Sequence, residues 1–185
     1  MISKLSRTAV TVFIFLSLCG SVWAADVAKI GTIDFQRIID LSDAGKAAQE
    51  KLNKQAKEME ADLKSKGADI EAGRKQFERE ALVMNKEMKD AKEREMRIKI
   101  NDFKQLQQRY TGVARELRFR LVGQIRNDVD KLVKEMGKKE GYLLIMERKE
   151  GGVIYMPSTI DMTDQVIKEY NIQWAKQQKS ADKKQ

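Results

Sequence analysis

Ala56, Leu63, Ile70, Phe77, Met84, Ala91 and Ile98 recur at an unbroken spacing of seven inside a proline-free, highly charged tract that fills over half the chain. A heptad row of this length specifies long helices meeting along a narrow apolar seam rather than the outer layer of a globular enzyme. A single helix is excluded by its reach. About ninety helical residues at about 1.5 Å each would extend about 135 Å, and the strand-like segments on either side of the tract could never meet.

A hairpin brings them together, with its turn expected between Gly67 and Asp90. The stretch from Gly67 to Gly73 has the better helix-breaking chemistry, whereas the midpoint by length lies nearer residue 88; the heptad row crosses both. Each arm would measure roughly 55 to 70 Å. The returning arm has its own stripe at steps of three and four: Phe103, Leu106, Tyr110, Val113, Leu117, Leu121, Ile125, Val129, Leu132 and Met136. Alanine, glycine and lysine interrupt the outbound seam, so the distal arm is expected to be pliable. A passive spacer is the plainer reading of the same pattern.

The flanking segments read as a small body. Val27 to Phe35 is expected as a strand around Ile30, Ile33 and Phe35, followed by a helix that Asp40, Ser42 or Asp43 caps. Gly137 and Gly141 end the long tract. Tyr142 to Lys149, the turn Glu150-Gly151-Gly152, and Val153 to Met156 read as a second and third strand, with Pro157 ending the third. Asp161 and Asp164 mark a short helix bearing Val166, Ile167, Tyr170 and Trp174, and the Lys/Gln-rich remainder is expected to be disordered.

Leu143, Leu144, Ile145 and Met146 are consecutive, so both faces of that strand want cover. A body of about fifty residues is too small to supply it without disulfides or metal, which leaves oligomerisation. Closing sheets around an axis also removes their exposed edges. Ile30, Ile33, Leu143, Leu144, Ile145, Met146, Val153 and Tyr155 are the residues expected in that shared body. The expected fold class is α+β: a small, barrel-like β-body formed by oligomerisation, carrying long antiparallel helical-hairpin arms. The divisions are 1–24, an export signal; 25–42, the first strand and the start of the helical region; 43–140, the hairpin; 141–174, the strand pair and short helix; and 175–185, the tail.

The export signal is read from a basic start at Lys4 and Arg7, an apolar core from Ala9 to Leu18, and small residues in Val22-Trp23-Ala24. Cleavage is expected after Ala24, with Ala25 as the rival. Cys19 follows Leu18 rather than a small residue, which argues against lipidation, and its loss with the signal leaves no cysteine. The chain carries 36 basic and 28 acidic residues, a net charge of +8, and losing Lys4 and Arg7 leaves +6. Such an excess attracts anionic surfaces or acidic partners. Export argues against nucleic acid as the physiological partner.

Histidine is absent, and neither a Gly-rich phosphate loop nor a cysteine of the exported chain offers catalytic or metal-binding chemistry. No catalytic, cofactor-binding or metal-ligating residue is therefore expected, and the reading is of a protein that is not an enzyme. Carboxylate pairs such as Glu93 and Glu95 read as solvated helical charge, and Asp34 as a cap or salt-bridge partner. Arg115, Arg118, Arg120 and Arg126 crowd the returning arm, against only Glu116 in that span. Met84 sits on the heptad row, whereas Met88 and Met96 sit off it. Methionine adapts to irregular partners, so these two join the four arginines as candidate contacts; a core role is the plainer alternative.

The opening Lys29-Ile30-Gly31-Thr32-Ile33-Asp34-Phe35-Gln36-Arg37 with Gly45-Lys46-Ala47-Ala48 resembles that of the Skp/OmpH family of periplasmic chaperones. Gly141-Tyr142-Leu143-Leu144-Ile145, the following turn, and Ile160-Asp161-Met162-Thr163-Asp164 are similar to its end. Ala68-Asp69-Ile70-Glu71-Ala72 through Glu80 is similar to the region around its arm tip, which favours the earlier turn. The resemblance covers about residues 26 to 172 and implies a homotrimer whose three arms enclose a cavity. It further implies that unfolded outer-membrane proteins are held there without ATP, and a possible partner in an anionic membrane surface or lipopolysaccharide. The alternative from another class is a structural cell-envelope protein that binds one specific folded partner.

Overall fold

The computed structural model describes residues 28–182, so the expected export signal lies outside the described residues. Two strands and four helices follow one another along the described residues: β1 (Ile30–Ile33), α1 (Phe35–Leu41), α2 (Asp43–Glu80), α3 (Lys86–Glu140), β2 (Leu144–Glu147) and α4 (Thr163–Asp182), with a 3₁₀ turn over Ser158–Ile160. The expected hairpin is present as α2 against α3, and the expected small β-body as β1 beside β2. These strands pair in parallel, with Ile30 opposite Leu144 and Ile33 opposite Glu147.

Capping chemistry sets the element boundaries. Asp34 caps α1 by accepting the Arg37 N–H at 3.1 Å, which ends β1 at Ile33 and puts Phe35 in a helix rather than in the expected strand. Ser42 alone joins α1 to α2: its N–H donates to the Ile38 carbonyl, and its Oγ accepts the Gly45 N–H at 3.1 Å. The bend is tight enough that a Cβ on Gly45 would lie 1.7 Å from the Ile39 carbonyl oxygen. Only glycine fits there.

The hairpin turns at residues 81–85, within the expected window but not at Gly67–Gly73. Both glycines lie inside α2. A Cβ added to Gly67 would sit 3.8 Å from the Phe103 ring, and one on Gly73 would sit 3.0 Å from the Met96 methyl. The bare backbone thus admits side chains of α3, and that packing offsets the poor helix propensity of glycine. The return is set instead by Asn85, whose Oδ1 accepts the Met88 N–H at 2.9 Å and starts α3 after α2 has ended at Glu80. The heptad row is therefore not one seam. Leu63, Ile70, Phe77 and Met84 are half-buried, whereas Ala56, Ala91 and Ile98 are exposed. Beyond the turn α3 presents Met96, Phe103, Leu106, Tyr110 and Leu117 instead.

Two further expectations change. The turn after β2 forms, with Gly152 in the left-handed region at φ 65°, but residues 153–156 pair with no strand among the described residues. Among the described residues they leave the outer edge of β2 unpaired, while on the far side of β1 Thr32 meets Asp161. The expected disordered tail is helical through Asp182. Its Ala, Lys and Gln are good helix formers, and they extend a helix already nucleated by the packing of Val166 and Tyr170.

The core gathers both ends of the sequence around the base of α3. Ile33, Phe35, Ile38 and Ala44 pack with Ile125, Val129, Leu132 and Met136, closed by Met162, Val166 and Tyr170 of the C-terminal segment. Arg37 pins that segment by donating to Asp161 at 3.2 Å and to Asp164 at 2.6 Å. Burial alone would raise the Asp161 pKa, but hydrogen bonds from Thr163 and the Arg37 and Arg148 charges overcome it and hold the carboxyl below 3.8. At the turn after β2, Arg126 lowers Glu150 in the same direction from 4.5.

Two outcomes are expected in urea denaturation. Ile38→Ala, at a fully buried site, should cost about 2–5 kcal/mol, whereas Leu82→Ser at the exposed tip should cost about 0.5 kcal/mol or less. Equal losses would contradict this placement of the core. Carboxylates with lowered folded pKa values stabilise the fold above their unfolded pKa, and this stability is lost as pH falls through the folded value. With no histidine, stability should be flat from about pH 5 to 8 and decline below about pH 4. Asp161→Asn should remove part of that acid sensitivity.

Candidate functional site

Three surfaces stand out from the fold: the open edge of the body, the outward face of α3 and the hairpin tip. The body edge holds most of the residues expected in a shared body. Leu143, Leu144 and Ile30 are substantially exposed, Tyr155 is 86% exposed, and Met146 and Val153 are half-buried. Ile33 lies in the chain's own core, and Ile145 packs against that core from the side. Ile154, which the sequence reading did not single out, is fully exposed at 101%. The signal for it was present: Ile154 lies in the apolar run Val153-Ile154-Tyr155 of the expected third strand.

The edge is held in place by cations stacked on rings. Lys29 lies 3.9 Å from the centroid of Tyr142 and pairs with Glu140 at 3.2 Å. Arg126 lies 4.4 Å from the centroid of Phe35 while its two terminal nitrogens donate to both Glu150 oxygens at 2.9 and 2.6 Å. That bidentate contact raises the Arg126 pKa further and ties the turn after β2 to α3. Of the four arginines expected to meet a partner, Arg126 is thus engaged within the chain. Arg115, Arg118 and Arg120 are exposed.

Met88 is more than half exposed near the tip, whereas Met96 is half-buried and faces Gly73 across the hairpin. The two methionines therefore lie in different environments. The tip also exposes Leu82 at 89% and Val83 at 88%, and the face of α3 opposite the seam exposes Phe119 at 80%. Phe119 was legible as a break in rhythm, since it stands two residues from Leu117 and Leu121, both of which turn inward.

Polar contact between the arms is sparse. Tyr110 donates to Asp62 at 2.6 Å, and no other side-chain hydrogen bond or ion pair joins the distal arms among the described residues. A groove of about 520 Å³ runs along the pair, lined by Lys66, Ile70, Phe103, Leu106 and Arg109. Among the described residues no cluster of acidic, histidine or cysteine side chains could hold a metal ion, and no helix is long and apolar enough to cross a membrane.

Comparison with known proteins fits this architecture to a family. A crystal structure from Caulobacter crescentus CB15, described as that of a candidate outer membrane chaperone (OmpH-like), superposes with a TM-score of 0.74. The match covers 80% of this chain and 86% of that one at 12% sequence identity, which shows a shared fold. No curated protein matches the sequence significantly. The family profile described as Outer membrane protein (OmpH-like) matches residues 29–170, from β1 through most of α4. The chain belongs to this OmpH-like family.

Proposed function

We propose that the protein is an ATP-independent holdase that keeps unfolded outer-membrane proteins soluble between the inner and outer membranes. The observation that carries this reading is a pair of long arms, with sparse polar contact between them, projecting from a body whose own edge is left apolar and unpaired. Three copies would complete the body by covering Leu143, Leu144, Ile154 and Tyr155, and their arms would enclose the client. Residues 1–24 would direct export and be removed.

Inside such a cavity the chemistry suits clients of varied shape. Exposed arginines at positions 115, 118 and 120 increase encounter with acidic chains, and Met88 offers a polarizable contact that needs no fixed partner geometry. Met96 and Arg126 would contribute only after leaving their present contacts with α2 and Glu150. The basic excess also suits approach to an anionic membrane surface or to lipopolysaccharide. Many weak contacts without selection of one shape distinguish such a holder from a scaffold for one folded partner.

The mature chain, mixed with an outer-membrane β-barrel protein diluted from urea at low salt, should suppress light scattering without nucleotide. Raising the salt should weaken capture. Undiminished aggregation would contradict the proposal, as would recovery from envelope extract of one stoichiometric folded partner instead of many unfolded ones.

A further inference from the structure

The basic excess is concentrated in one place. Residues 103–127 of α3 hold five arginines and one lysine against a single acid, Glu116. At the body end of this stretch the chain displays what such an arginine does with its own residues. Arg126 stacks on the Phe35 ring at 4.4 Å and grips the Glu150 carboxylate through both terminal nitrogens. One side chain thereby satisfies an aromatic ring and an acid together.

One heptad outward, on the same face of the helix, stands Phe119. Its ring is 80% exposed, with Arg115 four residues before it and Arg118 and Arg120 on either side. None of these three arginines has a carboxylate or ring partner among the described residues. Gly112 and Gly123 lie on the same stripe as Phe119, and a Cβ added to either would meet nothing within 4 Å. No side chain at those two positions covers the flanks of the ring. The components that close on Phe35 and Glu150 around Arg126 therefore recur here facing outward.

We infer that Phe119 with Arg115, Arg118 and Arg120 is a docking patch for unfolded polypeptide segments that carry aromatic and carboxylate side chains together. The inference rests on the holdase reading and deepens it by naming a client chemistry and a place. Rings of the client stack on Phe119 or on a guanidinium, and its carboxylates take the guanidinium forks. A net-positive belt with an aromatic at its centre favours such a segment over a purely apolar one, which would leave three guanidinium groups facing it without an acceptor.

The test uses the full mature chain and a labelled peptide in which tyrosine alternates with aspartate. Two control peptides replace aspartate by asparagine or tyrosine by serine, and binding is read by fluorescence anisotropy. The acidic-aromatic peptide should bind at least about tenfold more tightly than either control, and Phe119→Ala should weaken it by about tenfold. Phe119→Tyr should retain binding, and Arg118→Glu with Arg120→Glu should both weaken it and flatten its salt dependence. Equal binding of the three peptides, or an unchanged Phe119→Ala affinity, would overturn the inference. A lower particle mass for Phe119→Ala would also overturn it, by making Phe119 a contact between copies. Loss of binding to anionic vesicles with peptide preference intact would assign the patch to lipid instead. Failure of the holdase reading is seen separately, as failure of the wild-type chain to suppress aggregation.

Discussion

The parallel pairing of β1 with β2 is the contact on which the rest of the molecule depends. Parallel neighbours cannot be joined by a tight turn; the chain must leave the sheet and come back. Here the excursion is the whole hairpin, since residues 34–143 lie between the two strands. Thr32 sits at the centre of the junction, fully buried. Its carbonyl accepts the Met162 N–H at 2.9 Å, and its hydroxyl donates to the Ile160 carbonyl at 3.2 Å. Next to it, a Cβ on Gly31 would lie 2.6 Å from the Met162 sulfur, so close packing of three distant segments requires glycine there. With this joint made, both arms must start from one place and run side by side.

Packing is graded away from that joint. The body has fully buried Ile38, Val129 and Val166, whereas most seam residues beyond Leu106 toward the tip are only half-buried. Burial supplies the larger part of stabilisation, so local opening should be easiest at the tip and hardest at the base of α3. The ion pairs along the distal arms stay within single helices and steady each helix without binding one to the other. An arm of this kind can change its spacing at low cost. That property suits a holder of unlike clients better than a rigid spacer.

Much of this architecture was legible in the sequence because it follows from periodicity and reach. The charged heptad tract, the need for its flanks to meet, and the consecutive run Leu143 to Met146 required a hairpin on a small, underfilled body. The turn position was less legible. Gly67 and Gly73 look like breakers in one dimension, but Phe103 and Met96 approach them across the hairpin, and that contact depends on the register of two helices. The missing third strand has a similar cause: residues 153–156 have strand composition, yet composition does not say how the turn after β2 directs them, and they leave the outer edge of β2 open. The helical tail shows local propensity prevailing over polar composition. Phe119 was readable as an aromatic off the seam, though its exposure depended on knowing which face α3 turns inward.

The apolar edge left open on so small a body is the surface that further copies of the same chain would cover in the proposed assembly. The most direct test is the mass of the mature protein in solution together with its small-angle scattering profile. The account predicts a three-chain particle with an extended outline, reaching at least about the 80 Å length of a 55-residue helix. A monomer, a compact globule or a two-chain rod would contradict it.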